Sequence, residues 1–197
     1  MLFNSSDTNK SNIQNTINSW YNTNIKNTYG SFVEDTKWCM DRNVSTANLG
    51  GWNPNGGSLS EYMEFDVFKR ILTASSSNPP ILSCSNSNDI MTVKNGKLDN
   101  PVALLTYDEA SLAGVQYNFE NTSSYLITGN WYWLLSPAAS GNGAYVGSVF
   151  YTGLDDTLVY LTGGGVRPSL SLKTGTMVRS GTGTATDPYI LSTESTS

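Results

Sequence analysis

The chain has 197 residues, a length that fits one domain with a sizeable hydrophobic core. Its net charge is -5 at pH 7, so it lacks the basic excess of a protein that binds nucleic acid. It contains no histidine, which excludes Ser-His-Asp catalysis, Cys-His catalysis and histidine-ligated zinc. We therefore expect a non-catalytic protein with no cofactor and no nucleic-acid partner.

The first predicted element is a helix over roughly residues 9–28, which Gly30 is expected to end. Its apolar residues recur at three- and four-residue spacing, as on one buried helix face: Ile13, Ile17, Trp20, Tyr21 and Ile25. We assign 1–35 to this N-terminal helix, as a pilin-like stalk or a packing helix, and 36–197 to the main domain. The two are expected to form one compact unit.

The start of the chain, MLFNSSDTNK, is too polar for an export signal or a membrane span. We expect any such segment to lie upstream, because few charged residues and many Asn, Ser, Thr and Gly are typical of secreted or surface proteins. Cys39 and Cys84 form no CxxC pair. An oxidising compartment favours a disulfide between them over two separate buried thiols.

The middle of the chain contains two capping-box patterns, at Ser58–Glu61 and Thr106–Glu109. The first predicts a helix that ends before residue 75, and its buried face carries Tyr62, Phe65, Phe68 and either Ile71 or Leu72. Residues 81–100 predict a hairpin around Asn95-Gly96, and 101–105 a buried strand. The second capping box predicts a short helix that ends at Gly114.

From residue 125 onward the pattern changes to β. The segments WYWLLS, AYVGSVFY, TLVYL, GVRPSLSL and PYIL predict strands with glycine-rich connections. The order predicts an α+β fold in which N-terminal helices precede a twisted antiparallel sheet. Trp131 and Trp133 share one strand face and are expected in the core, whereas the environment of Tyr132 stays open. Ser136 and Arg167 are expected to bond to neighbouring backbone or acidic groups.

The late strands also carry residues that suit a recognition surface. Tyr145 and Tyr151 are evenly spaced on one side, Asp155-Asp156 is expected in the following turn, and Tyr160 on the next strand. Tyrosine offers a large contact area and a hydroxyl group at low entropic cost. An ordinary half-exposed sheet face with an acidic turn accounts for the same pattern.

Several segments together resemble a known family: PVALLTYDEASLAG, YLITGNWYWLLSP, AYVGSVFYTG, GGGVRPSLSLK and GTGTATDPYIL. They are similar to a bacterial domain of unknown function in secreted and surface proteins of gut Firmicutes-type bacteria. Some members carry a prepilin-type segment, and the C-terminal half looks like the C-type-lectin and formylglycine-generating-enzyme fold. This resemblance implies a C-type-lectin-like domain without the lectin calcium motif and without a formylglycine cysteine.

In that fold the late strands and their loops build the ligand surface. Carried onto this sequence, the resemblance implies a site made of Tyr145, Ser148, Tyr151, Asp155, Asp156 and Tyr160, with no metal ligand among them. We expect a secreted or surface-displayed binding module, such as an adhesin or pilin tip, whose partner is a host or microbial surface protein or glycan. A pilin-like structural subunit with homo-oligomer or filament neighbours is one alternative, and a phage or retroelement-diversified receptor-binding protein is another.

Overall fold

The computed structural model describes residues 11–45, 63–74, 79–117, 123–140, 143–184 and 186–193. Helices and antiparallel strands are mixed in it, and the largest sheet is curled. The helices are α1 (Asn12–Asn24), α2 (Asp66–Leu72) and α3 (Tyr107–Leu112). The strands are β1 (Val33–Glu34), β2 (Trp38–Cys39), β3 (Met63–Glu64), β4 (Ile90–Met91), β5 (Tyr132–Ser140), β6 (Ala144–Val149), β7 (Leu154–Leu158), β8 (Ser171–Leu172), β9 (Thr176–Ser180) and β10 (Ile190–Thr193).

Helix α1 confirms the predicted apolar face. Ser11 caps its start by accepting a hydrogen bond from the backbone N–H of Gln14. Ile17 and Tyr21 are buried in the core, and the other predicted face residues pack against it. The helix ends earlier than predicted, since the N–H groups of Ile25 and Lys26 both turn back to the carbonyl of Tyr21.

The largest sheet has the strand order β3-β5-β6-β7, and its paired strands are antiparallel. Strand β5 lies in its middle and is buried along nearly all of its length. At the start of β5, Gly165 continues the sheet on the side away from β6 by pairing with Tyr132. At the start of β7, Tyr117 pairs with Leu154 on the opposite side.

Each face of β5 packs against its own hydrophobic cluster. Trp133 and Leu135 belong to the cluster that includes α1, as predicted for the indole ring. Tyr132 and Leu134 belong to the cluster formed with α2 and α3. The face on which Tyr132 lies, which the sequence left open, is therefore also core.

The second helix differs from its prediction. It begins at Asp66, whereas Met63 and Glu64 form β3 and pair with the end of β5. The N–H of Phe65 donates to the carbonyl of Ala138, so sheet pairing replaces the predicted first helical turns. The capping box at 58–61 and Tyr62 lie outside the described residues.

The hairpin predicted over 81–100 is wrong. Strand β4 pairs with β2 near the disulfide and not with a second arm of its own segment. Asn95 and Gly96 do form a tight turn, in which the Asn95 side chain accepts from the N–H of Thr92 and donates to the carbonyl of Ile90. The turn that Asn95-Gly96 predicts is therefore confirmed, and the hairpin is not.

The next two segments follow their predictions more closely. Residues 102–104 are buried, although only Ala103 makes a bridge, to Ser169. Thr106 and Glu109 form the predicted capping box of α3. Gly114, with a φ of 89°, follows the end of that helix.

The last part of the chain forms strands, but not all of them where predicted. Asp155 and Asp156 lie within β7 and not in a turn, and Tyr160 follows that strand and is not part of it. The late strands also do not all join one sheet. Strand β8 pairs with β1, while β9 and β10 form a separate ribbon. Strand β9 was not predicted, although its apolar residues stand between Gly175 and Gly181, both with positive φ. Within the part of the chain that is described, no helix is long and apolar enough to cross a membrane.

Candidate functional site

Strands β6 and β7 form the hairpin that carries most of the predicted site. Ser148 pairs with Asp155, and Gly147 pairs with Asp156. Successive side chains of a strand point to opposite faces. Ser148 and Asp155 therefore share one face of the hairpin, whereas Tyr145 and Asp156 share the other.

A chain of ring contacts runs from the core to the surface at the turn of this hairpin. The rings of Trp133 and Trp131 meet edge to face at 4.9 Å between centroids, and Trp131 lies 6.2 Å from Phe150. Phe150 in turn meets Tyr151 edge to face at 4.6 Å. Exposure rises from 6% at Trp133 to 36% at Phe150 and 49% at Tyr151. We call Trp131, Phe150 and Tyr151 the ring platform.

The backbone beneath the rings holds the ring platform in place. The N–H of Phe150 donates to the carbonyl of Gly153 at 2.7 Å and closes the β6–β7 turn. Gly164 passes so close that a Cβ there would lie 2.5 Å from ring carbons of Trp131 and from Nε1 of Trp133. Only glycine gives both indole rings this space. The two indole rings are therefore held in place before any ligand arrives.

Asp155 lies on the same face as Trp133 and Phe150, next to the ring platform. Phe150 and Asp155 are diagonal neighbours across the hairpin, a relation that places Cα atoms roughly 7–8 Å apart. Oδ1 of Asp155 accepts the N–H of Asp156 at 2.9 Å. Among the described residues no group bonds to Oδ2. Burial raises the pKa of Asp155, and the neighbouring charge of Asp156 adds to this effect against the opposing hydrogen bond.

Ser148 and Asp156 make internal hydrogen bonds. Ser148 is fully buried, and its hydroxyl pairs with that of Thr157 at 2.8 Å. Asp156 accepts from the hydroxyl of Tyr117 at 2.7 Å. Burial raises the pKa of Asp156, and that hydrogen bond lowers it. The hydroxyl of Tyr107 is directed to the same strand and donates to the carbonyl of Asp155.

The remaining predicted residues lie at the other end of the hairpin. Tyr145 is partly buried against the cluster of α2 and α3. Tyr160 is 69% exposed and follows the end of β7. Tyr151 and Tyr160 flank opposite ends of β7, roughly 20 Å apart at the usual strand rise. The structure thus places Tyr151 and Asp155 toward the turn end of the hairpin, and Tyr145 and Tyr160 at its other end.

Sequence reasoning missed Phe150 as part of this surface and placed Trp131 wholly in the core. Trp131 is instead only partly buried, beside the fully packed Trp133. The available signal was the pairing of two aromatic segments, NWYW and VFYT, across an antiparallel turn. That pairing depends on the β5–β6 register, which the sequence did not specify.

Two other polar predictions hold. Ser136 is buried within β5, and its hydroxyl oxygen accepts the N–H of Tyr107 at 3.0 Å. Arg167 donates to the carbonyl of Leu126 and lies over the ring of Tyr132. Neither side chain takes part in the ring platform.

A polar cavity of about 240 Å³ opens beside the disulfide between Cys39 and Cys84. Asp41 and Asp108 lie in its wall, and both accept from Arg70 behind it at 2.6 Å. Asp108 also accepts the N–H of Ile81. These carboxylates hold the chain segments of the cavity wall together.

Among the described residues, no group of three or more Cys, Asp or Glu side chains is arranged to hold a metal ion. No family model, curated protein or solved structure matches this chain. The disulfide is typical of an oxidising, extracellular environment.

Proposed function

We propose that this protein is a secreted or surface-displayed binding module that acts without catalysis and takes its ligand at the ring platform. The observation that carries the proposal is the run of ring contacts from buried Trp133 to half-exposed Tyr151. Aromatic side chains this exposed are anchors of recognition surfaces, because they contribute much contact area with few rotatable bonds. The disulfide supports an extracellular place of action.

A C-type-lectin-like architecture is part of this proposal. It is supported by the curled antiparallel sheet flanked by helices and by a late hairpin that ends in exposed aromatic rings. In this arrangement the predicted residues Tyr151 and Asp155 contact the ligand directly. Ser148 and Asp156 hold the strands beneath it through their hydrogen bonds to Thr157 and Tyr117.

Binding to intact cells tests the proposal. We expect the fluorescently labelled chain to bind cultured epithelial cells or intact bacteria in flow cytometry, and Tyr151→Ala to reduce this binding about tenfold. Tyr29→Ala is the matched control, because Tyr29 is 50% exposed on another part of the molecule. Binding no greater than that of an inert protein of equal size and charge would rule out the adhesin function.

A pilin-like structural subunit is the second candidate, and the β9–β10 ribbon favours it. This ribbon exposes four large apolar side chains: Met177, Val178, Tyr189 and Ile190. A two-stranded ribbon is marginally stable alone, so packing against a neighbour would suit it. Light scattering at rising protein concentration separates the candidates, since the structural subunit is expected to assemble and the binding module to stay monomeric.

A further inference from the structure

We infer that the ligand of the ring platform is an uncharged carbohydrate, an inference that rests on the function proposed above. The first argument is the size of the surface. Phe150 is 36% exposed and Tyr151 49% exposed. With roughly 150–250 Å² per aromatic side chain, the two rings offer roughly 130–210 Å². That area suits contact with one or two sugar rings, whereas a stable protein partner needs roughly 800 Å² on each side and would have to engage much more than these rings.

The second argument is the pairing of rings with a hydrogen-bond acceptor. A pyranose ring presents a face of C–H groups and an edge of hydroxyl groups. The rings of Phe150 and Tyr151 stand at 75° to one another, so one of them, the more exposed Tyr151, matches that face while Phe150 supports it edge to face. Oδ2 of Asp155, which has no partner among the described residues, matches a hydroxyl donor at the edge. A carboxylate accepts such a hydrogen bond more strongly than a neutral oxygen does.

The third argument is charge. Among the described residues the cation–ring contact is that of Arg167 with Tyr132, away from Phe150 and Tyr151, and the carboxylate beside these two rings is negative. The whole chain also has a net charge of -5. A sialylated, sulfated or uronic-acid glycan would meet repulsion at Asp155, whereas a neutral hexose or N-acetylhexosamine end would not.

A glycan array of neutral and acidic glycans, followed by titration of the bound compounds, tests the inference. We expect the full chain to bind neutral glycans and not the acidic ones. Phe150→Ala and Tyr151→Ala should each weaken the affinity about tenfold, and Asp155→Asn about threefold to tenfold. Tyr29→Ala should leave it unchanged, and circular dichroism of each variant checks folding. No binding to any neutral glycan, or affinities unchanged in both ring variants, would overturn the inference.

Treated cells distinguish the failure of this inference from the failure of the proposed function. Periodate cleaves the vicinal diols of surface glycans, and protease removes surface proteins. We expect periodate to abolish cell binding and protease to leave most of it. If binding depends on Tyr151 but is lost only after protease treatment, the function stands and the carbohydrate inference is wrong. If untreated cells bind no chain at all, the adhesin function itself is wrong.

Discussion

Single residues decide whether the ring platform can exist, and Gly164 is the clearest case. An alanine there would place its Cβ 2.5 Å from Trp131 and Trp133. Two large indole rings or the backbone beneath them must then move. The effect is steric and local. It reaches the proposed binding surface because Trp131 is part of the ring platform.

We predict that Gly164→Ala lowers the free energy of unfolding by about 1–3 kcal/mol, as overpacked positions do. It should also change the near-ultraviolet circular dichroism of the tryptophan rings. Gly30→Ala is the control, because the nearest atom to its new Cβ is 3.7 Å away. Urea unfolding measures both variants. A stability and a spectrum like those of the wild type for Gly164→Ala would contradict the close approach.

Arg70 is the second decisive residue, since it neutralises two buried carboxylates. Its side chain is 12% exposed, and those of Asp41 and Asp108 are 10% and 5% exposed. Removing one partner of a buried ion pair leaves a charge without compensation. We predict that Arg70→Ala lowers the free energy of unfolding by about 3–5 kcal/mol.

Lys26→Ala provides the control for Arg70→Ala, because it removes the same charge at an exposed position of the N-terminal region. Chemical unfolding of the two variants at pH 7 makes the comparison. Equal stabilities would show that the Arg70 network does not hold its helices and loops together.

Asp155 makes the stability of the hairpin depend on pH. Its pKa is raised in the folded chain, chiefly by burial. The folded state therefore holds this proton more tightly than the unfolded state. The resulting stability is present below the ordinary aspartate value of 3.8 and is lost as the pH rises through the raised pKa.

We predict that the stability of the wild type relative to Asp155→Asn falls as the pH rises, because the variant has no such proton. Unfolding of both proteins between about pH 3 and about pH 7 measures this difference. If the stability of the wild type relative to Asp155→Asn instead rose with pH, the folded chain would stabilise the Asp155 carboxylate as an anion.

At the scale of elements, the disulfide joins two segments that secondary structure alone holds weakly. Strands β2 and β4 have two residues each and, among the strands that the structure describes, pair with one another and no other. Cys39 and Cys84 are 45 residues apart, and closing a loop of that length is worth about 4 kcal/mol in the chain-entropy estimate.

We predict that the double variant Cys39→Ala, Cys84→Ala unfolds at a free energy about 4 kcal/mol lower than the oxidised wild type. The reduced wild type should lose a similar amount, which separates the cross-link from the cysteine side chains. Equal stability of the oxidised and reduced wild type would show that the bridge adds nothing to the fold.

The helices and strands also show which features of the fold a local sequence pattern can predict. The face of α1 and the capping box of α3 depend on residues three or four apart, so local spacing was sufficient. The start of α2 depends on β3 pairing with β5, far away in sequence. The turn at Asn95-Gly96 was visible locally, whereas the choice of β2 as the partner of β4 was not.

At the scale of the whole molecule, some features of the candidate site are visible in the local sequence and others depend on long-range strand pairing. The aromatic and acidic residues of the late hairpin were visible as a pattern, but the face of each depends on the register. Tyr151 and Asp155 lie toward the same end of the hairpin because Ser148 pairs with Asp155 and the turn follows at Phe150. Tyr145 and Tyr160 lie at the far end, which even spacing in the sequence could not reveal.

The central claim is that ligand is bound at the ring platform, and amide chemical shifts of the isotope-labelled chain test it most directly. The titrant is a neutral glycan selected on the array. We expect shifts concentrated at Trp131, Phe150, Tyr151 and Asp155, with the far end of the hairpin little changed. Shifts concentrated instead around Tyr160, or in the cavity beside the disulfide, would contradict it.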